Sequence, residues 1–570
     1  GKSNQRPIGR AGRRTGDGRR EKQSSRKTGY AGICTGGYAG GVCGKNIFLI
    51  QNPPSHIIGS IMLPNKSLKY NAFWNILSNV LNILLLFILT PIITKGLGDA
   101  QYGIYIILGT IGGALSIINL GLGEATLRYV AFYYSKNDNE GVNRVFNATL
   151  WLYSLLGIIV TSIFFFIPEM IIRLLNLSEL GSEGSLLIRL TLLLFFINFI
   201  YGCFTSVPQA LQRYDIFSYI QIGQNGIRFI ANILVIFLGY GLKGLVIAQL
   251  SIGILSLFSV IIISKKLLPF LMLYRIPSQK DYKEIFSYGI FSFLSQIVGL
   301  VWQYCDNILL SIFIGPQAVS YFSIPMQVIG KVNSTISSGF SVLFPKFAAE
   351  KNTTVIKSIY IKSTQLSLYL SIVIFVPMAI MIKDFLAIWI STDFAEKSGF
   401  IATILAFSYI VRGAFLPYDS LLKGLGVPQY IMYITIASSF VILLCDLLLI
   451  PTLGVNGVGY SYLLSSLIGV FVIGCIWKKY IKNKNIIAYK IFLFPYLVSI
   501  GCFTIIYYLK NNIYLSIPDF ISFLITGCIV FILNLIITVI TIRLIDKDFI
   551  REICYPFIIK LKEKCLLKKQ

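Results

Sequence analysis

Histidine and charged residues are scarce in this sequence. Its 570 residues include a single histidine, His56, and only 13% of them are charged, whereas charged residues make up about 25% of a typical soluble protein. A catalytic site built on histidine is therefore excluded from the rest of the chain. No group of cysteines and histidines has the spacing of a metal site, so we expect no bound metal and no metal cofactor.

Apolar residues are correspondingly abundant in the sequence. Hydrophobic residues make up 55% of the chain, and the mean hydropathy is +0.74. Apolar runs long enough to cross a bilayer, about 18 residues or more, recur along the chain with short connections between them. We predict an all-α polytopic membrane protein with about 14 transmembrane helices and no inserted soluble domain.

The first 61 residues differ from the rest. Residues 1–45 hold 11 Lys and Arg against two acidic residues, and no methionine occurs before Met62. The stretch is rich in glycine and arginine and has no hydrophobic periodicity, so it cannot form a core of its own. We interpret residues 1–61 as a disordered basic leader or a non-native extension, and expect no nucleic-acid partner.

Positive charge is distributed unevenly over the predicted loops. Loops on one side carry 19 Lys and Arg in total, and loops on the other side carry seven. Because cytoplasmic loops collect Lys and Arg, we expect the richer side to be cytoplasmic, together with both chain termini.

Two pairs of segments show an internal repeat. GLGDAQYGIY (96–105) is similar to FIGPQAVSYFS (313–323), and the glycine-rich hairpin near Gly239 is similar to the one near Gly454. Offsets of about 215 residues predict two parallel six-helix lobes that enclose a cavity open to either side in turn. The expected parts are 62–280 (first lobe), 281–485 (second lobe), 486–545 (two additional helices) and 546–570 (basic cytoplasmic tail).

Three basic residues lie within predicted spans. Arg228, Lys331 and Arg412 come from both lobes and fall near mid-depth. A charge there costs at least about 2.5–3.5 kcal/mol unless it faces a cavity or a partner. The three side chains are candidates for binding a phosphate or diphosphate, and structural ion pairs within the bundle are the alternative.

Amide side chains indicate a polar wall. Asn75, Asn79 and Asn82 recur at helical spacing on one face of the first span. Gln224 and Gln303 are further candidates for the same wall. The amides fit a cavity that accepts a hydroxyl-rich substrate, or else hydrogen bonds between helices.

Asp306 is an acidic residue in the apolar run LVWQYCDNILLSIFIG. It is predicted either to pair with Lys331 or Arg412, or to carry a proton or sodium ion during a transport cycle. Asp446 and Glu124 fall near the ends of spans, and we interpret both as members of structural pairs.

Several stretches resemble the polysaccharide-transporter branch of the multidrug/oligosaccharidyl-lipid/polysaccharide exporter superfamily, which includes O-antigen flippases. They are FILTPIITKGLGDAQYGIYIILGTIGG, NLGLGEATLRYVAFYYSKND and QYCDNILLSIFIGPQAVSYFSIPMQV. The resemblance implies a flippase that moves an undecaprenyl-diphosphate-linked oligosaccharide across the bacterial plasma membrane, driven by a proton or sodium gradient. It implies cavity or gating roles for Arg128 and Asp306, which match the motifs, and possible partners in a polysaccharide polymerase and a chain-length regulator.

Two other functions compete with this one. A drug or metabolite antiporter of the related branch would share the fold but would have a smaller, more acidic or aromatic site. A membrane-embedded polymerase would need a large outer loop, and none is present in the sequence. We therefore expect a transporter and not an enzyme.

Overall fold

The computed structural model describes residues 68–119, 122–279, 282, 299, 303–427, 429–481, 494–512 and 520–545, with side chains for most of them from residue 80 onward. These residues are almost entirely helical. Nine helices in the described part of the chain are long and apolar enough to cross a membrane. The predicted all-α polytopic class is confirmed, while the count of 14 spans and the domain boundaries stay predictions.

We group the helices by the three parts of the chain that the sequence predicts. The first lobe comprises α1 Leu68–Leu97, α2 Asp99–Leu115, α3 Leu122–Ser135, α4 Asn139–Phe165, α5 Pro168–Leu174, α6 Gly184–Ala210, α7 Tyr214–Phe237 and α8 Gly241–Leu267. The second lobe comprises α9 (residues 303–313), α10 Pro316–Phe340, α11 Leu343–Ala349, α12 Thr353–Trp389, α13 Thr392–Arg412, α14 Phe415–Gly424, α15 Gln429–Leu453 and α16 Val455–Ile481. The additional helices are α17 Phe494–Asn512 and α18 Phe520–Ile545.

Glycines of the internal repeat all have a positive φ. Gly98, between α1 and α2, has φ 78°, and Gly315, between α9 and α10, has φ 125°. Gly239 and Gly454, in the second pair of hairpins, have φ 76° and 63°. Glycine enters this region without the penalty that a Cβ imposes, which explains why it stands at each tight turn. We call the end of the bundle that bears Gly98 and Gly315 the Gly98 side, and the other end the opposite side.

The additional helix α18 shows why this fold requires a membrane. Its outward face consists of exposed isoleucines at 525, 529, 532, 536 and 540. Its buried face carries the polar residues Thr526, Asn534 and Thr538. This distribution is the inverse of a helix on a soluble protein, and an apolar stripe of this length is stable when lipid covers it.

Side chains of neighbouring helices donate hydrogen bonds to the backbone carbonyls that prolines inside the helices leave free. Each proline lacks an N–H and so frees the carbonyl four residues earlier. Four of the five prolines inside described helices have that carbonyl hydrogen-bonded by a side chain: Phe87 O by Trp389 Nε1 (3.0 Å), Phe204 O by Ser264 Oγ (3.3 Å), Tyr321 O by Ser398 Oγ (2.6 Å) and Val373 O by Asn534 Nδ2 (3.3 Å). Trp389 differs from the other donors because it belongs to the second lobe and its acceptor belongs to the first.

Candidate functional site

The two lobes are in close contact on the Gly98 side. A Cβ placed on Gly103 of α2 would lie 1.8 Å from the backbone oxygen of Pro316 in α10, so only glycine fits there. Tyr321 Oη donates to Asp99 Oδ2 at 3.1 Å, and Ser320 Oγ donates to the backbone oxygen of Asp99 at 2.6 Å. We call this surface, formed by the start of α2 against the start of α10, the outer seam, after the orientation that the loop charges predict.

Burial raises the pKa of Asp99 above its ordinary value. Tyr321, which donates to the carboxylate, and the nearby Lys397 act against this shift, and Asp393 acts with it. The carboxylate of the outer seam is thus partly desolvated, and Tyr321 and Lys397 of the second lobe stabilise its ionised form.

The contact continues to mid-depth through polar and small residues. Asn307 Nδ2 of α9 donates to Thr110 Oγ1 of α2 at 3.1 Å, and Ser323 Oγ donates to Asn307 Oδ1 at 2.8 Å. Further along α2, a Cβ on Gly113 would lie 2.3 Å from the hydroxyl of Tyr304. The lobes are therefore joined from the Gly98 side to about the middle of the bundle.

Trp389→Phe tests whether the hydrogen bond from Trp389 to the carbonyl that Pro91 leaves free stabilises the contact between the lobes. The phenyl ring keeps most of the packing but cannot donate a hydrogen bond to Phe87 O. This carbonyl has no donor within α1, because Pro91 lacks the N–H that would normally bond to it. One lost hydrogen bond is worth about 0.5–1.5 kcal/mol, so we expect the open-to-closed ratio on the Gly98 side to rise roughly 2- to 12-fold. Spin-label distances between the lobes measure this ratio.

Ser264→Ala is the matched control for Trp389→Phe. It removes the hydrogen bond from Ser264 Oγ to Phe204 O, a carbonyl that a proline also leaves free, but here donor and acceptor both belong to the first lobe. It should lower thermal stability without changing the open-to-closed ratio. A Trp389→Phe variant with an unchanged ratio would contradict the assigned role.

On the opposite side, the second half of α10 presents a polar surface. Lys331, Ser334, Thr335, Ser338 and Ser341 are all exposed and recur every three or four residues. The four hydroxyls donate to backbone carbonyls within the helix, which leaves their remaining lone pairs directed outward. An exposed lysine near mid-depth is incompatible with acyl chains, so we infer that this hydroxyl stripe faces water.

Arg228 lies inside the first lobe among polar aromatic and amide side chains. It is within electrostatic range of Tyr105 and Tyr201, and its Nε is buried without a hydrogen-bond partner among the described residues. Asn232, one turn later on α7, is buried at 1% exposure and lies beside the hydroxyl of Tyr105. Gln249 Nε2 donates to Tyr105 Oη at 2.6 Å. The described part of the chain places no carboxylate in contact with Arg228, so this cluster is suited to an anion.

The predicted amides fall into different settings. Gln224 accepts a hydrogen bond from Tyr201 at 3.2 Å, and Asn82 accepts one from Asn225 at 2.7 Å, so both contribute to contacts between first-lobe helices. Gln303 is exposed at the start of α9. The side chains of Asn75 and Asn79 lie outside the described residues. Arg128 is exposed on α3, 6.0 Å from the ring of Tyr129.

Asp306 lies beside a second buried carboxylate, Asp446 of α15. Tyr462 Oη donates to Asp306 Oδ2 at 2.6 Å, and Asp446 lies within electrostatic range of Asp306. The two residues are 2% and 0% exposed, and three of their four carboxylate oxygens have no hydrogen-bond partner among the described residues. We call Asp306 and Asp446 the acidic pair.

Arg412 is the positive charge near the acidic pair. It is within electrostatic range of Asp306, its Nε donates to Ser466 Oγ at 3.1 Å, and its guanidinium carbon lies 5.4 and 5.3 Å from the ring centres of Tyr409 and Tyr462. Arg412 therefore lies inside the second lobe, while Arg228 lies inside the first and Lys331 lies on an exposed face of α10.

Sequence reasoning missed Asp446 as a functional candidate. Its position near the end of a span suggested a structural pair with a basic residue, and the structure places it against another acid instead. The available signal was a second carboxylate in an apolar run of the same lobe as Asp306, but only packing of α9 against α15 and α16 shows that the two meet.

Comparisons with known proteins agree with this architecture. Residues 68–351 match the family model described as "Polysaccharide biosynthesis protein". The putative O-antigen transporter of Shigella flexneri is 23% identical over 63% of this chain and 85% of its own length, and the teichuronic acid biosynthesis protein TuaB of Bacillus subtilis (strain 168) is 23% identical over 67% and 76%.

Solved structures show the same fold. Lipid II flippase MurJ in an inward closed conformation has a TM-score of 0.62 at 16% identity, covering 83% of this chain and 99% of that one. A multidrug resistance MATE family transporter of the MOP superfamily, in an inward-facing conformation, has a TM-score of 0.55 at 15% identity, covering 70% and 96%. The resemblance and the fold class predicted from the sequence motifs are confirmed.

Proposed function

We propose that this chain, whose residues 68–351 match the family model described as "Polysaccharide biosynthesis protein", is a flippase for a lipid-linked oligosaccharide. Relatives named as an O-antigen transporter and a teichuronic acid biosynthesis protein support a surface-glycan substrate. The proposed substrate is an undecaprenyl-diphosphate-linked repeat unit in the bacterial plasma membrane. We place the opposite side in the cytoplasm, together with both termini, because that side carries the basic loops.

The hydroxyl stripe of α10 is the observation that carries this proposal. Lys331 lies at its deepest point, just below the sealed half of the lobe contact, and four exposed hydroxyls extend from it toward the opposite side. A lysine binds a phosphate as a point charge, and hydroxyls exchange hydrogen bonds with sugars. The diphosphate would therefore contact Lys331, and the glycan would lie along the stripe while the lipid tail stays in the bilayer.

Arg228 is proposed as a second contact for the diphosphate. Its cluster offers a guanidinium and the amide of Asn232, and both groups can donate hydrogen bonds to phosphate oxygens. Opening of the outer seam would then expose the same headgroup to the other leaflet, as alternating access requires.

Coupling to a cation gradient is assigned to the acidic pair. Two buried carboxylates in contact cannot both stay ionised without a compensating positive charge. A proton or sodium ion would supply this charge, and its binding and release would bias the equilibrium between the two access states. Arg412, predicted from sequence as a phosphate ligand, is placed in this proposal with the ion site.

Lys331→Ala and Arg228→Ala test the proposed substrate site. Each removes a charge-assisted contact worth about 1.5–3 kcal/mol, so surface glycan in cells lacking their own flippase should fall roughly 10- to 150-fold at matched protein level. Lys243→Ala is the control, because Lys243 is an exposed base on the Gly98 side and pairs with Glu183 at 2.7 Å. Undiminished surface glycan in both test variants would refute the assignment.

A further inference from the structure

A cavity of about 300 Å³ lies in the second lobe among α10, α13, α14, α15 and α16. Each of these helices contributes a polar side chain to its lining: Asn333, Arg412, Asp419, Ser438 and Ser466. Asn333 follows Lys331 by two residues, which is about 200° around α10, so the cavity is separate from the hydroxyl stripe. We call it the second-lobe cavity.

The charges on this lining already have partners of opposite sign. Arg412 is within electrostatic range of Asp306, and its Nε donates to Ser466 Oγ at 3.1 Å. The charged neighbour of Asp419 is Lys423, one turn later on α14. An ionised ligand would bring a charge that no group on the lining is left to neutralise, which a partly buried site disfavours. The second-lobe cavity therefore favours an uncharged ligand.

The lining offers both donors and acceptors of hydrogen bonds. Ser466 Oγ and Thr435 Oγ1 each donate to the carbonyl four residues earlier, at 2.7 and 2.9 Å, which leaves lone pairs on both hydroxyls to accept. The side chains of Asn333 and Ser438 make no hydrogen bond to any residue that the structure describes. A matching ligand needs several groups that both donate and accept, as the hydroxyls of a sugar do.

The size of the cavity and its aromatic wall narrow the ligand further. Its volume is at the low end of the range of about 300–1,000 Å³ for small-molecule sites, so it has room for one sugar ring and not for a chain of sugars. Phe415 lines the cavity, and its ring packs against α16 at Gly469, where an added Cβ would lie 2.2 Å from the ring. This fixed aromatic ring suits the C–H face of a sugar, whereas a lipid tail would leave the polar groups unpaired.

We propose that the second-lobe cavity binds one uncharged sugar ring. Asn333, Ser438 and Asp419 exchange hydrogen bonds with its hydroxyls, and Phe415 packs against its C–H face. Asp419 is exposed, so its carboxylate is accessible to a ligand from solvent. The sugar is either free or a residue of a transported glycan, since both present the same chemistry. The site lies apart from the proposed contacts of the diphosphate and does not depend on the flippase assignment.

Saturation-transfer difference NMR on the full chain in phospholipid nanodiscs tests this site with defined ligands. The panel is glucose, galactose, mannose and N-acetylglucosamine, and tetrahydropyran is the matched ring without hydroxyls. We expect saturation transfer to at least one sugar and none to tetrahydropyran. Asn333→Ala and Ser438→Ala each remove hydrogen-bonding groups, so each should weaken the affinity for that sugar roughly 2- to 12-fold.

Ser439→Ala is the matched control for Ser438→Ala. Ser439 is the next residue of α15, is buried, and does not line the cavity, so its replacement should leave the affinity unchanged. All variants are compared after they elute like the unsubstituted protein in size-exclusion chromatography. Absence of saturation transfer to every sugar of the panel, or equal affinities in the three variants, would overturn the proposal and leave the cavity to water.

Surface glycan in cells lacking their own flippase distinguishes the two sources of the sugar. A fall in Asn333→Ala and Ser438→Ala, with Ser439→Ala unchanged, assigns the cavity to a residue of the transported glycan. Unchanged surface glycan together with weakened binding in nanodiscs assigns it to a free sugar. The binding measurement uses no lipid-linked glycan and no transport, so its result stands whether or not the flippase assignment holds.

Discussion

Gly103→Ala is expected to lower transport strongly. The added methyl group would lie 1.8 Å from the oxygen and 2.5 Å from the carbonyl carbon of Pro316, and both are backbone atoms that cannot rotate away. The lobes must separate to accommodate it, so the outer seam cannot close and the inward-open state is lost. Overpacking costs of about 1–3 kcal/mol predict a fall in surface glycan of roughly 5- to 150-fold.

Gly109→Ala provides the control on the same helix. A Cβ on Gly109 meets no atom within 4 Å, and alanine favours a helix over glycine by about 1 kcal/mol. This variant should transport normally and be at least as stable as the unsubstituted chain. Normal transport by Gly103→Ala would show that the outer seam does not have to close during the cycle.

Replacing either member of the acidic pair with asparagine is the second change with a large expected effect. Asn keeps the size of the side chain but cannot hold a cation by charge. We expect Asp306→Asn and Asp446→Asn each to lower transport by at least roughly tenfold and to remove its dependence on the cation gradient. Transport into vesicles with and without an imposed gradient measures both effects.

The pair is expected to act as a unit. The double variant should therefore be no worse than either single variant, since the cation site is already lost. Ser439→Ala is the control: Ser439 lies two turns before Asp446 on α15, is buried, and has no hydrogen-bond partner for its hydroxyl in the described part of the chain. Gradient-dependent transport retained by both single Asn variants would eliminate the acidic pair as the coupling element.

Sequence patterns predicted the class of the fold and several of its turns. Apolar runs and scarce charge indicated a polytopic helical protein, and the repeated glycines marked turns that now show φ values of 78° at Gly98 and 125° at Gly315. These features depend on local chemistry, because a helix in lipid must satisfy its own backbone and a turn with positive φ favours glycine. They can be read one segment at a time.

The candidate sites were only partly predictable. The sequence identified Arg228, Lys331, Arg412 and Asp306 as misplaced charges, and it treated the three bases as one group. In the structure they occupy three separate environments, and Asp306 meets Asp446 and Tyr462, 140 and 156 positions further along the chain. Which misplaced charges share a site is decided by how helices far apart in sequence pack.

By itself, therefore, the sequence determined that this chain spans a membrane, which of its charges are costly there, and which family it resembles. Only the tertiary structure decided that a glycine of α2 closes onto a proline of α10, that a tryptophan of one lobe compensates a proline of the other, and that two carboxylates face each other behind an arginine. The physical reason is that hydropathy and charge cost belong to single residues, whereas close approach and ion binding belong to pairs, and lobe packing brings those pairs together.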